Sequence, residues 1–306
     1  MAQTTVVSET APFGGGEVGG RQRSLWSMAF RRLLRNRLAV IGLIVIGLMV
    51  FVWLAGPLIR RYHPYDYQNY NAVNQGPSAE HWFGTDALGR DNFSRVVTGI
   101  GLSLEVGFGV AASVFVLGAL FGGLAALGGR FSDNLVMRFT DIMYSFPDLL
   151  LIILIQAVLA GRSFPPPIVT VIFAISLVAW VTVARLIRGQ MLSLKERDYV
   201  TAARSVGAPE RKIVFQHLLP NTLSPVIIAI TFAVPGAIFA EAALSFIGLG
   251  LPPPTTSLGR LVADGRPYVQ TNPAVIVFPA AAISLLMLAF TFVGDGLRDA
   301  LDPRTR

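Results

Sequence analysis

Apolar residues in this chain gather into six long runs that are separated by polar intervals. The runs are long enough for a helix to cross a bilayer, which takes roughly 20 residues. They predict membrane-spanning helices over residues 38–59, 99–127, 134–160, 167–187, 222–248 and 274–296. The pattern therefore indicates an all-α polytopic membrane protein with six transmembrane helices.

Composition supports this interpretation and narrows the chemistry. The chain has 306 residues, of which 53% are hydrophobic and 14% charged, whereas soluble domains carry about 25% charged residues. The net charge of +7 does not indicate a nucleic-acid partner, because the Arg residues lie at the ends of apolar runs, as membrane topology requires. With no Cys and only three scattered His, neither a disulfide nor a metal site is expected.

The segment before the first span divides into two parts. Residues 1–23 are rich in Gly, Ser and Thr and show no apolar period, which predicts a disordered cytoplasmic tail. Residues 24–37 predict an amphipathic helix in the headgroup layer, capped by Ser24. Its apolar face would hold Leu25, Trp26, Ala29, Phe30 and Leu33, opposite Arg31, Arg32, Arg35 and Arg37. The run over 38–59 has no small-x-small cleavage site, so we expect it to remain as an anchor.

The distribution of Lys and Arg predicts the orientation. If the N-terminus is cytoplasmic, 18 of the 25 Lys and Arg residues lie on the cytoplasmic side, which agrees with the positive-inside rule. Residues 60–98 would then be extracytoplasmic, and 99–296 would form a five-helix core. The polar loop 188–221 and the tail 297–306 would be cytoplasmic, in a multi-pass protein of the cytoplasmic membrane.

Several residues inside the spans are candidates for structural or gating roles. Gly118 and Gly122 would let two helices approach closely, although Gly is also common in membrane helices. Pro147 and Pro235 are expected to kink the third and fifth spans. Glu241 is expected near the outer interface, in a hydrogen bond or a gate, and Asp141 is expected to pair with Arg138.

The polar loop 188–221 predicts two short helices joined at a turn. The first, about 196–206, places Tyr199, Ala202, Ala203 and Val206 on one face. Gly207 would end this helix, followed by Ala208 and by Pro209 in the first turn of the next helix. The second helix would bury Ile213, Val214 and either His217 or Leu218, and would end at Pro220.

Within this loop, Thr201-Ala-Ala-x-x-x-Gly207 and His217-x-Leu-Pro220 resemble the EAA loop of ABC importer permeases. The resemblance implies a type I ABC importer permease fold whose loop inserts into a groove on a cytoplasmic ATPase subunit. Thr201 replaces the usual Glu, and His217 replaces the usual Ile. The implied coupling residues are Tyr199, Thr201, Ala202, Ala203, Gly207, Ala208, Pro209, Ile213, His217, Leu219 and Pro220.

Three further segments narrow the resemblance. His81-Trp-Phe-Gly-Thr-Asp-Ala-Leu-Gly-Arg-Asp91 with Ser94-Arg95, Leu244-Ser-Phe-Ile-Gly-Leu-Gly250, and the ending from Gly294 to Pro303 are similar to the C-type subunit of dipeptide, oligopeptide and nickel permeases. Asp86 or Asp91 could simply cap the next helix, with Arg90 and Arg95 paired to one of them. Alternatively, this segment contacts a binding protein or a gate.

The chain lacks a G-x-x-x-x-G-K-[ST] phosphate loop, so we expect no ATP hydrolysis and no catalytic residue in this subunit. The resemblance implies a second, B-type permease, two ATPases that use ATP and Mg, and an extracytoplasmic solute-binding protein. The expected function is import of peptides or similar small solutes across the lipid bilayer. A secondary transporter or channel without ATPases is the alternative, and a membrane-anchored receptor is a third reading. The solute itself stays open.

Overall fold

Helices dominate the computed structural model, which describes residues 25–59, 63–159 and 165–301. In that part of the chain the helices are α1 (Leu25–Leu33), α2 (Arg37–Ala55), α3 (Asn92–Leu127), α4 (Gly129–Tyr144), α5 (Asp148–Leu159), α6 (Pro167–Lys195), α7 (Asp198–Ser205), α8 (Glu210–Ile213), α9 (Leu219–Phe246), α10 (Leu258–Gly265) and α11 (Ala274–Leu301). Short 3₁₀ turns lie at Gly56–Leu58, Tyr70–Ala72 and Arg266–Tyr268, and Val214–Leu218 is π-helical. The predicted tail 1–23 and the predicted cap Ser24 lie outside the described residues.

The predicted spans correspond to helices, with different ends. Five helical stretches within the described residues are long and apolar enough to cross a membrane, and a bent pair, α4 with α5, gives a sixth if it counts as one broken span. α3 begins at Asn92 rather than 99, α6 continues to Lys195, and α11 continues to Leu301 into the predicted tail 297–306. The helices extend beyond the apolar runs because the backbone hydrogen bonds of a helix are local and continue through residues with polar side chains.

The predicted kink at Pro147 is instead a complete break. α4 ends at Tyr144, and α5 starts at Asp148 after a bend of 88°. A proline disfavours helical backbone at the residue before it, and Ser145 closes α4 through its N–H on Asp141 O. Asp148 then occupies the first turn of α5, where a negative charge is favourable. Pro235, by contrast, lies inside α9, which continues helically to Phe246.

Two apolar cores hold the bundle together. One joins α3, α5, α6 and α9, and the other joins α2, α3, α9, α10 and α11. α3 and α6 form the most extensive helix pair, and Gly118 and Gly122 lie in that contact. A Cβ on Gly122 would stand 2.5 Å from Ala184 O, and one on Gly118 would stand 2.6 Å from Val183 Cγ1. The predicted close approach at these glycines is therefore present.

We expect Gly122→Ala to destabilise the protein by about 1–3 kcal/mol, because an added methyl overpacks a tight contact against backbone. The matched control is Gly123→Ala, since a Cβ on Gly123 meets nothing within 4 Å. That change should be neutral or slightly stabilising, because Ala favours helix over Gly by up to about 1 kcal/mol. Thermal unfolding in detergent, followed by tryptophan fluorescence, measures both. Equal melting temperatures for the two variants would contradict the contact.

The N-terminal helix packs against the end of α11. Ala29 and Leu33 are buried together with Ala39 and Ala300, whereas Phe30, which was predicted on the same face, is exposed. The side chains of Leu25 and Trp26 lie outside the described residues. α1 ends before 37 because Asn36 is extended and caps α2, with its Oδ1 accepting from the N–H of Leu38 and of Ala39.

The connections lie at two opposite ends of the bundle. The loop end holds α7, α8 and the junction where Lys195 Nζ donates to Ala126 O. The opposite end holds residues 63–91 and 249–273, which meet where Asn272 Nδ2 donates to Gln75 O at 3.1 Å and which we call the cap. The two regions that sequence analysis singled out are thus separated by the length of the spans.

Candidate functional site

At the loop end, α7 and α8 form an elbow, residues 198–218, that follows directly from local chemistry. Gly207 has φ +78°, a conformation that Gly adopts without a Cβ penalty. The N–H of Ala208 bonds to Ala203 O at 3.0 Å and that of Gly207 to Arg204 O at 2.9 Å, so α7 ends in the predicted glycine cap. Pro209 caps α8 from just before its first residue, one position earlier than predicted.

The elbow has its own small core. Val200, Ile213 and Leu218 are fully buried, with Leu194, Ala203 and Ala208 packed around them. Leu218 rather than His217 therefore fills the buried position that the sequence left open. Val200 was not predicted, although its spacing of three from Ala203 could have indicated it. This core fixes the elbow to the end of α6.

The outer face of the elbow is apolar and uncovered in this chain. Tyr199 is 42% exposed, Phe215 60% and Val206 84%, and Ala202 is also exposed. Exposed apolar side chains that cluster on a polar segment mark a surface for another protein. Of the predicted face, only Ala203 turns partly inward. We call Tyr199, Ala202 and Val206, which recur at helical spacing, the elbow face.

The second helix of the elbow was predicted to end at Pro220, but it continues into the fifth span. Residues Val214–Leu218 form a π turn, in which the N–H of Leu219 bonds to Val214 O, and α9 begins at Leu219. Pro220 occupies the first turn of α9, where a missing N–H costs little. His217 lies in the π turn with its ring 5.9 Å from that of Tyr199. α8, the π turn and α9 therefore form one helical stretch, Glu210–Phe246.

Ion pairs attach α4 to α6 near the loop end. Arg188 contacts Asp133 through both Nε and Nη2, the latter at 2.6 Å. Arg185 Nη2 lies 2.7 Å from Asp141 Oδ1, with its guanidinium 4.5 Å above the Tyr144 ring. The predicted pair of Asp141 with Arg138 is wrong, because α6 lies close enough to offer a fork-shaped guanidinium from the neighbouring helix.

In the cap, the charged residues predicted before the second span form a buried network. Asp86 Oδ1 accepts from the N–H of Leu88 and of Arg90, both at 2.9 Å. Its Oδ2 contacts Arg90 Nε at 2.7 Å and Arg95 Nη1 at 2.6 Å. Arg95 reaches onward to Asp264 at 3.2 Å. Of the two local partners that the sequence left open for Arg90 and Arg95, Asp86 rather than Asp91 is the one observed.

Asp91 instead caps the helix that follows it. Its Oδ2 accepts from the N–H of Ser94 at 2.8 Å, and its Oδ1 lies 2.9 Å from His81 Nδ1. Glu241 is fully buried one turn before the end of α9, where it accepts from Ser245 Oγ at 2.6 Å. It lies toward the cap, as predicted. Among the described residues, no three His, Asp or Glu side chains are grouped as a metal ion requires.

Sequence analysis missed α10 and its two charged residues, Arg260 and Asp264. The 249–273 interval lacks a long apolar run and begins with three prolines, Pro252 to Pro254. One signal was present: Ser257 caps α10, with its Oγ accepting from Arg260 N–H, just before the helical spacing of Leu258 and Leu261. Arg260 Nε bonds to Asp264 Oδ1 at 2.8 Å, which extends the network across the cap.

Comparison with known proteins agrees with this architecture. Residues 115–306 match the family model described as binding-protein-dependent transport system inner membrane component. Residues 24–77 match the model for the N-terminal TM domain of oligopeptide transport permease C. Residues 78–114, which hold part of the cap and the first part of α3, lie between the two matched ranges.

Curated relatives match over nearly the whole chain. The oligopeptide transport system permease protein OppC of Bacillus subtilis (strain 168) is 39% identical, over 95% of this chain and 93% of its own length. The dipeptide transport system permease protein DppC of the same strain is 42% identical, over 91% of this chain and 85% of its own. Among solved structures, a chain of the inward-facing MetNI methionine ABC transporter superposes with a TM-score of 0.56 at 22% identity, over 68% of this chain and 96% of that chain.

Proposed function

We propose that this chain, which belongs to the family of binding-protein-dependent transport system inner membrane components, is the permease subunit of an ATP-driven importer for peptides. Relatives named as oligopeptide and dipeptide permeases match it along their lengths, which supports peptides or similar small solutes as the cargo. The MetNI likeness supports the type I permease fold and carries no argument about the solute.

The observation that carries the coupling role is the elbow. Its inner side is locked to the bundle by Val200, Ile213 and Leu218, while the elbow face presents apolar side chains. Exposed basic side chains lie in the same segment or next to it: Arg197, Arg204, Arg211 and Lys212. An apolar centre with a charged rim is the usual anatomy of a protein interface. A groove on a cytoplasmic ATPase subunit is the partner we propose for it.

The helices next to the elbow provide a route from docking to transport. A force on the elbow acts on α9 through the continuous π turn and on α6 through the buried core. α4 would follow α6 through Arg188 and Arg185. ATP-driven closure of two ATPases would thus shift the bundle between two access states by rigid-body movement of these helices.

The remaining parts of the proposal concern partners and orientation. A second, B-type permease would complete the pathway, and a solute-binding protein would deliver cargo to the cap. Because Lys and Arg concentrate at the loop end and in the N-terminal segment, we place both termini in the cytoplasm and the cap outside the cytoplasmic membrane. ATP and Mg would be used by the ATPases, with no cofactor held by this chain.

Co-purification and uptake test the proposal together. A tagged chain, expressed with its neighbouring genes and solubilised in detergent, is expected to recover a second permease and two ATPases. Reconstituted with the binding protein, the complex should accumulate labelled dipeptide only when ATP is enclosed with the ATPases. Recovery of the chain alone, with uptake that follows an ion gradient instead of ATP, would establish a secondary transporter and overturn the proposal.

A further inference from the structure

A cavity of about 530 Å³ opens in the cap between the 86–90 segment and α10. Its wall carries three guanidinium groups, from Arg90, Arg95 and Arg260, and two carboxylates, from Asp86 and Asp264. The wall therefore has one positive charge more than its own acids neutralise. Such a surface attracts a single negative charge, whereas the two carboxylates oppose a dianion.

The donors in this wall are only partly used. The acceptor found for Arg260 among the described residues is Asp264, through Nε, and a guanidinium has five N–H donors. Arg260 is about one-third exposed, so its remaining donors can reach a ligand. Arg90 lines the same cavity, and its Nε and Nη2 both contact a single oxygen, Asp86 Oδ2. Two guanidinium groups thus have donors free for a carboxylate, the anion that their fork geometry fits.

The position of these donors is fixed by the buried side chain behind them. Arg95 is 2% exposed and holds Asp86 and Asp264, the same two acids that Arg90 and Arg260 contact. Arg90 therefore cannot swing away without breaking a largely buried ion pair with Asp86, and Arg260 cannot do so without losing its contact with the partly exposed Asp264. A binding site whose donors are held in place loses little entropy when its ligand arrives.

A second cavity, of about 220 Å³, lies on the other side of Arg260 and Pro253, which line both cavities. Gln156 lines it and is 6% exposed, and its Nε2 has no hydrogen-bond partner among the described residues. A buried amide without an acceptor is costly, and a ligand carbonyl would supply the acceptor. A solute that extends past Arg260 would thus meet an amide donor after the arginines.

We propose that these adjacent cavities form a solute site in the cap, in which Arg260 and Arg90 bind the terminal carboxylate of a short peptide and Gln156 donates to its backbone carbonyl. The inference rests on the proposed function, because it assumes that peptides reach the cap. It adds that the permease itself, and not only a binding protein, selects solutes that end in a carboxylate.

The test is direct binding to the purified complex of both permeases and ATPases in nanodiscs, without binding protein or ATP. Saturation-transfer NMR compares Ala-Ala, its C-terminal amide and acetate. We expect the amide to bind about tenfold more weakly than the free peptide, since a hydrogen-bonded charge is lost. Arg260→Gln should weaken Ala-Ala by a similar factor, and Arg260→Lys should retain part of the affinity. Gln156→Leu should weaken Ala-Ala and leave acetate unchanged.

The matched control is Arg266→Gln, which removes an exposed guanidinium on the same segment but outside the cavity wall and should leave binding unchanged. Equal binding of peptide and amide, or no effect of Arg260→Gln, overturns the inference. The absence of peptide binding also overturns the inference. This includes the outcome in which no peptide binds and Arg260→Gln weakens association of the binding protein instead. Uptake by the same complex, reconstituted into proteoliposomes with binding protein and ATP, separates the two proposals, because intact ATP-driven uptake without peptide binding refutes only this one.

Discussion

Replacing Ala202 with Trp is expected to abolish most ATP-driven uptake while leaving the permease folded in the membrane. Ala202 is exposed in the middle of the elbow face, between Tyr199 and Val206. A small side chain there lets the backbone of α7 approach a partner closely. An overpacked contact costs about 1–3 kcal/mol, or about 5–150-fold in affinity, so the ATPases should dissociate from the complex.

Two controls separate loss of docking from loss of folding. Ala202→Ser keeps the thin contact and should transport normally. Ser193→Trp adds the same bulk at an exposed position near the end of α6, outside the elbow face, and should also leave uptake near normal. Co-purified ATPase, uptake in proteoliposomes and elution volume in detergent are measured for all three. Normal ATPase recovery and uptake with Ala202→Trp would exclude the elbow face as the docking surface.

Much of the elbow could be predicted because its determinants are local. Gly207 is the residue that tolerates the left-handed turn, and its φ of +78° follows from the chain's need to end one helix and start another with only four residues between them. Which side of α7 packs inward could not be predicted in the same way. Val200 is buried by Leu194 and Ile213, and in a helix of eight residues its spacing of three from Ala203 is too short a pattern to exclude the other side.

The break between α4 and α5 shows a different limit. Pro147 signals an interruption, but a kink and a break of 88° differ in what the two halves pack against. Asp141 and Asp133 both find arginines on α6, 44 and 55 residues away, and those contacts hold α4 alongside α6. A single sequence shows which residues are charged but not how they pair. The prediction that Asp141 pairs with the nearer Arg138 was therefore wrong.

The cap contains both local contacts, which the sequence could predict, and long-range contacts, which it could not. The contacts of Asp86 with Leu88 and Arg90 lie within five residues and could be anticipated from the turn-rich segment around them. The contact of Arg95 with Asp264 joins residues 169 positions apart, in a helix that the apolar pattern did not reveal. The sequence therefore identified the candidate residues but not the surface that they form together.

The second large effect is expected from Arg95→Met, which removes the centre of the buried cap network. Taking one partner out of a buried ion pair costs about 3–5 kcal/mol, because the remaining charge stays buried without its partner. Arg90 still contacts Asp86 and Arg260 still contacts Asp264, so we expect the free energy of unfolding to fall by about 3 kcal/mol. The apparent melting temperature in detergent, followed by tryptophan fluorescence, should fall accordingly.

An exposed pair in the same chain provides the comparison. Arg204 and Glu210 lie 2.7 Å apart with both side chains well exposed, and exposed pairs contribute about 0–1 kcal/mol, so Arg204→Met should melt close to the unmodified protein. Asp86→Asn keeps the oxygen that accepts from Leu88 and Arg90 but removes the charge. Combined with Arg95→Met, it should cost less than the two single changes together, by about 0.5–3 kcal/mol of coupling. Additive losses, or equal melting of Arg95→Met and Arg204→Met, would show that the cap is held by its apolar contacts instead of by these charges.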